Sequence, residues 1–463
     1  MPMALFPQEF IDSTRAVFGD RAEVVLEALS AGDSVTAVRA NPAKISASTL
    51  RGRFAAAGEF VPWCGDAFYL DERPVFSLDP MLHAGAYYVQ DPSAMFVGAV
   101  AKMVFSEFED PLKVLDLCAA PGGKSTAVAA SLRPSDLLVS NEVIGSRASI
   151  LAENMVKWGT GNAIVTNNDP KDFARLAETF DIILADVPCS GEGMFRKDAG
   201  AVAEWSLENV RLCAARQRRI VADVWDSLRE GGYLIYSTCT FNSSENDDNV
   251  KWICRELGAD VELLTGALAS SGAMETKYGL QFAPGITRGE GQYVALLRKT
   301  APAKTGKQSK PFTVKRASTM GSKSAKSIKC DWVLTGMTCY EVETSAGKML
   351  KAYPSNLESE IRSHESRLKV IRSGVAVASV KGRDLVPQAD LALSQAFNSE
   401  TFPQVELTRE QALQFLRCEA IQLPDAPKGF LTVTYEQLPI GFVKNLGSRA
   451  NNLFPQSWRL RIS

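Results

Sequence analysis

Histidine is nearly absent from this chain, which has only His83 and His364 among its 463 residues. Chemistry that depends on a catalytic histidine therefore has few residues from which it could be built. Zinc sites are also unsupported, because none of the nine cysteines stands in a C-x₂₋₄-C spacing. We expect an active site that uses neither histidine nor structural zinc, and the odd number of cysteines indicates a reducing compartment.

Long apolar runs and a net excess of charge are missing too. The longest nearly apolar stretch, 94–105, contains Lys102 and is about half as long as a membrane-spanning helix. The N-terminus lacks the basic start and apolar run of a signal peptide, so a cytoplasmic protein without a membrane partner is expected. The 51 Lys and Arg residues nearly balance 53 Asp and Glu residues. This excludes a globally basic coat protein for nucleic acid, but it does not exclude a local basic patch.

Short apolar runs alternate with helical patterns from about Gln90 to residue 300. The runs that we interpret as strands lie at 112–117, 137–140, 163–165, 181–185 and 233–236. Such alternation predicts βαβ units and an α/β, doubly wound, Rossmann-like parallel sheet. Ligands of these sheets bind outside the carboxyl ends of the strands, so functional residues are expected there.

The chain is long enough for about two to four domains. Residues 1–80 have the mixed pattern of a small α/β module, predicted here to recognise RNA, and 81–300 form the Rossmann-like domain. The segment 301–329 carries eight Lys and Arg residues and no acidic residue. It is predicted to be a solvated linker, a basic strap on an RNA backbone, or both. Residues 330–463 are predicted to be rich in strands.

Small residues follow the first strand of the Rossmann-like domain. Paired glycines between a strand and a helix let the backbone approach a ligand, although a tight structural turn is the alternative. Glu142, after the second strand, could bind a ribose or stabilise a helix N-terminus. Asp169, after the third, could hold an adenine amino group or form an Asx-turn. Together these features predict an adenosine-containing cofactor over the loop Cys118, Ala119, Ala120, Pro121, Gly122, Gly123 and Lys124.

Two cysteines stand at the ends of neighbouring predicted strands. Asp186 and Cys189 follow the fourth strand, and Pro188 between them stiffens the loop. Cys239 follows the fifth strand. A thiolate near a cation such as Lys124 becomes a nucleophile, so these thiols are candidates for covalent catalysis.

Four motifs resemble those of a known family: QDPSAM at 90–95, DLCAAPGGKS at 116–125, DVPCSGEGMFRK at 186–197 and YSTCTFNSSEND at 236–247. The set resembles the Sun/Nop family of RNA cytosine-5 methyltransferases over about residues 90–299. The GMFRK segment, the phenylalanine of YSTCTF and the C-terminal extension are most similar to its bacterial RsmF branch, which modifies small-subunit (16S) ribosomal RNA. That branch carries a PUA-like RNA-binding module, and the segment of about 395–463 in this chain resembles it.

The resemblance implies a cofactor and a role for each motif residue. S-adenosylmethionine would lie over the loop 118–124, with Glu142 on its ribose and Asp169 near its adenine. Asp186 would lie at the methyl-bearing end of the cofactor and would also hydrogen-bond N3 of the cytosine. Lys124 would orient Asp186. Arg147 and Asn154, at positions typical of the family, would brace their helix and the sheet.

The same resemblance implies covalent catalysis by the two thiols. The Cys239 thiolate would add to carbon 6 of cytosine, so that carbon 5 could accept the methyl group. Cys189 would assist removal of the carbon 5 proton and release of Cys239, and it is also the second candidate for the nucleophile.

The expected partner is RNA, and the resemblance favours RNA of the small ribosomal subunit; no obligate protein partner is predicted. Arg196 and Lys197 are candidate phosphate contacts, with solvent-facing charge as the alternative. Phe195 and Phe241 could stack on a base or pack in the core. Two other functions stay open: the same reaction on transfer RNA, and a non-catalytic ribosome-assembly factor. Retention of both motif cysteines argues against the second.

Overall fold

The computed structural model describes residues 6–264, 271–302, 327–344 and 347–461. Most of the predicted basic linker lies outside the described residues, which do not include 303–326. The described chain forms four β-sheets. None of its described helices is both long enough and apolar enough to cross a membrane.

The N-terminal residues form a small α/β unit. Its sheet is antiparallel, with strand order β2-β3-β1-β4. The apolar residues of its first two helices pack with Phe195, Trp205 and Phe241 in one hydrophobic cluster, so this unit shares a core with the next. Its elements are α1 (Gln8–Phe18), α2 (Ala22–Ala31), β1 (Thr36–Ala40), α3 (Ala47–Arg51), β2 (Ala57–Val61), β3 (Cys64–Leu70), α4 (Pro80–His83) and β4 (Tyr87–Val89).

A ten-stranded mixed sheet follows, and its central strands are the five predicted from the sequence. These pair in parallel: β5 (Lys113–Asp116), β6 (Leu137–Asn141), β7 (Ala163–Thr166), β8 (Phe180–Asp186) and β9 (Leu228–Thr238). Hydrophobic clusters cover both faces of the sheet, which explains why its strands are apolar throughout. The predicted Rossmann-like α/β fold is therefore confirmed.

Antiparallel strands extend the sheet at both edges. One edge has β10 (Ala259–Glu262), β11 (Met274–Glu275), β12 (Leu280–Phe282) and β13 (Gln292–Lys299). The other edge is β16 (Val370–Arg372), which pairs with β7 although it belongs to the C-terminal region. Pairing with β16 covers an edge strand that would otherwise expose its backbone groups.

Helices connect the parallel strands and cover the sheet. They are α5 (Pro92–Phe105), α6 (Gly123–Ala129), α7 (Gly145–Trp158), α8 (Ala199–Glu204), α9 (Leu207–Val224) and α10 (Asp247–Trp252), the last continued by a π-helical turn at Ile253–Gly258. The α9 helix buries Val210, Gln217 and Val224 among residues spaced three or four apart, so one face packs and the other is solvent-facing. The hydroxyl of Ser206 accepts a hydrogen bond from the Asn209 amide and begins this helix.

The C-terminal region contains two further four-stranded sheets. The first has β14 (Met337–Thr344), β15 (Gly347–Pro354), β17 (Val375–Lys381) and β18 (Asp384–Pro387); the second has β19 (Gln404–Glu406), β20 (Gly429–Tyr435), β21 (Leu438–Asn445) and β22 (Ala450–Asn452). The helices of this region are α11 (Glu358–Arg367), α12 (Ala389–Leu393) and α13 (Arg409–Leu416). Phe442 of the last sheet packs on Phe397 and Phe402, and all three lie in one hydrophobic cluster with residues of β15 and β17, which joins the two sheets.

The last sheet also contacts the N-terminal unit. Ala84 lies in the hydrophobic cluster of the last sheet. Arg53 donates to both carboxylate oxygens of Glu436, each at 2.7 Å. The two ends of the described chain are thus packed against each other as well as against the central domain.

Candidate active site at the carboxyl ends of the strands

The candidate site residues converge where β5, β6, β8 and β9 end. The loop 118–124 follows β5, and Glu142 follows β6. Asp186 is the last residue of β8, and Cys239 comes directly after β9. Parallel strands bring these loops to one edge of the sheet, as the sequence predicts.

The loop after β5 is held by side chains of α7. Arg147 donates a hydrogen bond to the Ala120 carbonyl at 2.9 Å, and Asn154 donates to the Pro121 carbonyl at 2.7 Å. Gly122 has φ +118°, and a Cβ there would lie 3.3 Å from Leu151 Cδ1, so glycine is required. Arg147 and Asn154 therefore support this loop, which differs from the predicted bracing of their helix and the sheet.

A residue of the N-terminal unit also holds this loop. The buried Arg39 donates to the Gly123 carbonyl at 3.1 Å and to the Thr126 hydroxyl at 2.7 Å. Its Nε donates to Gln90, and its guanidinium lies 4.8 Å from the Trp158 ring centroid. Burial lowers the pKa of Arg39 to about 10. No sequence motif signals this residue, because its contacts come from a separate unit of the chain.

Glu142 is buried at the end of β6, with its carboxylate near the start of α7. One oxygen accepts a hydrogen bond from the Ile144 amide at 2.9 Å, and the other lies 3.6 Å from Arg147. Asp169 accepts from the Lys171 amide at 3.2 Å and begins the 3₁₀ helix Pro170–Arg175. Glu142 therefore stabilises a helix N-terminus and Asp169 forms an Asx-turn, which are the structural alternatives given for them above. The cofactor contacts of both residues stay predictions.

Asp186 and Lys124 form an ion pair at the centre of the site. Lys124 Nζ donates to Asp186 Oδ2 at 2.9 Å. The other carboxylate oxygen accepts from Ser237 Oγ at 2.9 Å and from Gln292 Nε2 at 3.1 Å. Burial opposes the charged form of Lys124, but the carboxylate of Asp186 raises its pKa above the ordinary value. The pair is thus held in place from three sides.

Asp116 lies in the interior below this ion pair. Ser125 Oγ donates to one carboxyl oxygen at 2.6 Å, and the other oxygen has no hydrogen-bond partner among the described residues. Burial raises the pKa of Asp116 to about 7, opposed by the Ser125 hydrogen bond and assisted by the nearby carboxylate of Asp186. The residue stands inside a recognised motif, but nothing in the sequence pattern indicates its burial.

The two motif thiols are in contact. Cys189 Sγ and Cys239 Sγ are 3.2 Å apart, and both side chains are half-buried. The hydrogen bond with Cys239 and burial raise the pKa of Cys189 well above its ordinary value. At this distance the two sulfurs form a hydrogen bond in which either thiol can be the donor.

Two buried glutamates connect the loops that carry these thiols. Glu245 accepts from the Ser190 amide at 3.0 Å and from Gln217 at 2.6 Å. Glu192 accepts from the Phe241 amide at 2.5 Å and from the Asn242 amide at 3.1 Å. Each glutamate belongs to one cysteine motif and binds the loop of the other.

A close backbone approach completes this connection between the two loops. The Gly193 amide donates to the Cys239 carbonyl at 2.8 Å, and a Cβ on Gly193 would lie 2.8 Å from that oxygen. Only glycine allows the loops to pack this closely. The positions of both glutamates and of Gly193 within the cysteine motifs are the only sequence signal for these roles.

The two predicted phosphate contacts, Arg196 and Lys197, differ in their exposure to solvent. The Arg196 side chain is only 7% exposed, and it donates to Glu290 at 2.7 Å and to the Gly289 carbonyl at 2.8 Å. This contradicts its predicted role as an open phosphate contact, because its charge and donors are already used inside the protein. Lys197 is 30% exposed and lies 3.7 Å from Asp91 and from Glu290, so its RNA contact stays a prediction.

The two phenylalanines near the thiols are part of the core. Phe195 packs on Phe6 and Phe10, and Phe241 packs on Phe18. Core packing, rather than stacking on a base, is therefore the role that the structure supports.

Both histidines are buried in other parts of the molecule. His83 hydrogen-bonds the Ser77 carbonyl, and burial lowers its pKa to about 4. His364 contacts the Glu360 carbonyl, and burial lowers its pKa as well. Within the described ranges, no group of three or more His, Cys, Asp or Glu side chains is arranged to hold a metal ion.

Comparison with known proteins identifies the family of this chain. Three family models match: "16S rRNA methyltransferase RsmB/F" at residues 104–298, "N-terminal domain of 16S rRNA methyltransferase RsmF" at 6–92, and "Methyltransferase RsmF PUA domain" at 402–460. The ribosomal RNA small subunit methyltransferase F of Klebsiella pneumoniae (strain 342) is 33% identical over 97% of this chain and 96% of its own. The chain belongs to the ribosomal RNA small subunit methyltransferase F family.

Other relatives agree with this assignment. The protein of the same name from Citrobacter koseri is 32% identical over 90% of this chain and 89% of its own. The crystal structure of a methyltransferase homolog from Pyrococcus horikoshii, 24% identical, has a TM-score of 0.55 over 64% of this chain and 97% of that chain. The structure of NSun6 from Pyrococcus horikoshii with SFG, 20% identical, has a TM-score of 0.54 over 64% of this chain and 99% of that chain, and supports the same fold.

The family assignment confirms several predictions from the sequence. The chain is a methyltransferase with an N-terminal module and a C-terminal PUA domain, which are characteristic of the RsmF branch. S-adenosylmethionine is the methyl donor of this methyltransferase family. The loop 118–124 fits this cofactor, because it runs into the first turn of α6 and its Ala119 amide donates to the Asn141 carbonyl, next in sequence to the buried Glu142.

Proposed function

We propose that this protein methylates carbon 5 of a cytosine in small-subunit ribosomal RNA. The observation that carries the proposal is the contact of two thiols, 3.2 Å apart, beside the Asp186–Lys124 ion pair. Carbon 5 of cytosine is a poor nucleophile, so a protein thiol must first activate the ring. The names of the relatives support ribosomal RNA as the substrate.

The cofactor would be held by the loops at the carboxyl edge. S-adenosylmethionine supplies the methyl group when bound. Backbone groups of the loop 118–124 would contact it, Glu142 would accept hydrogen bonds from its ribose hydroxyls, and Asp169 would lie near its adenine. The side chains of Arg39, Arg147 and Asn154, which donate hydrogen bonds to this loop, and the glycine conformation of Gly122 within it would keep the loop rigid.

Cys239 is our proposed nucleophile. The hydrogen bond with Cys239 and burial raise the pKa of Cys189, which favours its protonated form, so Cys189 would donate the hydrogen bond to Cys239 Sγ, the proposed attacking atom. Cys239 Sγ would bond to carbon 6 of the cytosine, and the ring electrons would move to carbon 5, which would take the methyl group as the bond from that methyl group to the cofactor sulfur breaks and S-adenosylhomocysteine leaves. Asp186, protonated or sharing a proton, would hydrogen-bond N3 of the base, where charge develops, with Lys124 orienting it.

Cys189 would complete the reaction. Once Cys239 is bonded to carbon 6, Cys189 is the thiol that remains beside the base. It would give up its own proton to solvent and, as the thiolate, take the proton from carbon 5. The carbon 6–sulfur bond breaks, which regenerates Cys239 as a thiolate and releases 5-methylcytosine in the RNA.

The flanking parts of the chain would select the RNA. We assign this role to residues 1–80 and to the C-terminal region 330–463, which includes the residues that match a PUA domain. Lys197, beside the cysteine loops, remains our candidate phosphate contact near the thiols.

The test is to identify the methylated nucleoside. Purified protein is incubated with isotopically labelled S-adenosylmethionine and transcribed small-subunit ribosomal RNA, and the digested nucleosides are analysed by mass spectrometry. We expect label in 5-methylcytidine, and bisulfite sequencing then locates it. Label only in another nucleoside would disprove the proposed chemistry. Labelling of transfer RNA in place of ribosomal RNA would support the alternative substrate.

A further inference from the structure

A groove of about 600 Å³ lies between α9 and α10, beside the loop that carries Cys239. We call it the basic groove. Its lining includes an aromatic ring, two carboxylates and four cationic side chains: Trp252, Asp248, Glu256, Arg211, Arg218, Lys251 and Arg255. The methylation mechanism uses none of these residues.

The cations of the basic groove are available to a ligand. Arg211, Lys251 and Arg255 are exposed, and Arg218 is half-buried. None of the four forms a salt bridge with any residue that the structure describes. Arg218 donates to Asn249 Oδ1 at 2.7 Å, which fixes its guanidinium 5.9 Å from the Trp252 ring centroid. Four cations against two carboxylates leave the groove with an excess of positive charge.

The basic groove begins near the thiols. Ser244, which lines the groove, directly precedes Glu245, whose carboxylate accepts a hydrogen bond from the Ser190 amide next to Cys189. Gln217, the neighbour of Arg218 on α9, donates to the same carboxylate. Both helices follow loops at the carboxyl edge of the sheet, so the groove leads from this edge along the side of the domain.

We propose that the basic groove binds the sugar–phosphate backbone of the RNA that flanks the target cytosine. Phosphates neutralise cations that have no protein partner, and binding releases their counterions. Trp252 gives the groove an apolar surface between the cations, which suits a ribose or a base. The inference rests on the proposed function and extends it by locating where substrate RNA leaves the active site.

RNA suits the basic groove better than an acidic protein segment does. The lining is mainly charged and offers few apolar side chains, whereas protein interfaces obtain most of their binding energy from buried apolar and aromatic groups. The cations lie on α9 and on α10 with its π-helical continuation, so two packed helices present them to a nucleic-acid backbone.

The test reverses two exposed charges in the full-length protein, with Arg211→Glu and Lys251→Glu combined. Binding of transcribed small-subunit ribosomal RNA is measured at several salt concentrations. We expect the affinity to fall by at least about 10-fold, and the log–log salt dependence to become shallower by about 0.7 for each phosphate that the variant no longer neutralises. Affinity for S-adenosylmethionine should not change.

Arg219→Glu is the matched control, because Arg219 is an exposed residue of the same helix that does not line the groove. It should change neither the RNA affinity nor the salt slope by more than about twofold. A charge-preserving variant, Arg211→Lys with Lys251→Arg, should bind RNA like the unmodified protein. If the double reversal does not fold, as judged by its melting temperature, the single reversals are measured instead.

The proposal is overturned if charge reversal leaves RNA affinity and salt slope unchanged. It is also overturned if reversal weakens binding to assembled small subunits but not to protein-free RNA, since the groove would then bind a protein. These results do not depend on which nucleoside is methylated. If charge reversal changes RNA affinity and salt slope as expected but no 5-methylcytidine is formed, the proposed function is wrong and the groove proposal stands.

Discussion

The proposed chemistry depends on two thiols that are in contact. Cys189 Sγ and Cys239 Sγ are 3.2 Å apart, and the raised pKa of Cys189 favours its protonated form. Buried Glu245 and Glu192 bond the loops that carry both thiols, so the two sulfurs are already in contact before the reaction begins.

Replacing each thiol should stop the reaction at a different step. Cys239→Ala should abolish methylation, by at least about 1,000-fold, because the ring is then not activated. Cys189→Ala should still form the bond to carbon 6 but release product slowly, leaving protein covalently attached to RNA. Methylation assays and denaturing gels of protein–RNA adducts check both outcomes.

The half-buried Cys254 is a suitable control, since it is a cysteine of another element. Cys254→Ala should methylate normally and form no adduct. Adduct accumulation in Cys239→Ala, with none in Cys189→Ala, would show that the two roles are reversed.

Stability should depend on the protonation of Asp116. Its folded-state pKa of about 7 is above the value of an exposed aspartate, so folding takes up a proton between about pH 4 and 7. The stability that this protonated carboxyl contributes is present at low pH and is lost as the pH rises through 7. The loss should be on the order of a few kcal/mol.

Urea unfolding at pH 5, 6, 7 and 8 tests this expectation. Asp116→Asn cannot titrate, so its free energy of unfolding should rise relative to the unmodified protein as the pH increases. Glu208→Gln, on the exposed side of α9, should show no such trend. A pH-independent difference for Asp116→Asn would contradict the assigned pKa shift.

At the scale of elements, the loop after β5 is held by two different parts of the chain. Helix α7 supplies Arg147 and Asn154, and β1 of the N-terminal unit supplies Arg39. The N-terminal unit is thus connected by hydrogen bonds to the loop that we propose to bind the cofactor, in addition to its proposed role with RNA. The loop is recognisable as a sequence motif, whereas Arg39 on the strand that supports it stands in no motif.

Replacing Arg39 should weaken cofactor binding. Arg39→Ala leaves the Gly123 carbonyl and Thr126 hydroxyl without this donor, and we expect the Kd for S-adenosylmethionine to rise about 10-fold. Arg39→Lys should recover only part of the affinity, because lysine lacks the planar fork of donors. Calorimetric titration measures both.

Arg15→Ala is the control within the same unit, since Arg15 is exposed and its ion pair is with Glu23. This variant should bind the cofactor normally. Unchanged affinity in Arg39→Ala would mean that α7 alone positions the loop.

At the scale of the whole molecule, the sequence-defined C-terminal region is not an independent appendage. Its strand β16 pairs with β7, and Ile361 and Leu368 lie in the hydrophobic cluster of the central sheet. The last sheet packs instead on the N-terminal unit. Parts of the C-terminal region therefore serve the methyltransferase fold, and other parts are free to contact RNA.

Two truncations should separate these roles. A chain that ends at residue 400 keeps β16 and should lose RNA affinity while still binding S-adenosylmethionine. A chain that ends at residue 329 also loses β16, Ile361 and Leu368, and should melt at a lower temperature and bind the cofactor poorly. Melting curves, calorimetry and RNA titrations distinguish the two, and equal melting temperatures would contradict the structural role of β16.

The sequence by itself determined the family, the five parallel strands and the loops that carry the candidate chemistry. Each of these features is local, because a strand, its following turn and its motif are consecutive residues. Cys189, Cys239, Asp186 and Lys124 were all identifiable in this way. Their meeting at one edge followed from the rule that parallel strands end on the same side.

Only the tertiary structure decided which distant residues support the site. It placed Arg39 on the cofactor loop, buried Arg196 against Glu290, and paired β16 with β7. The exposure of a side chain and the partners of its charge cannot be predicted from one segment, because they depend on which distant residues pack against it in the fold. For the same reason the basic groove, made by two helices whose basic residues are separate in sequence, became visible only in the folded protein.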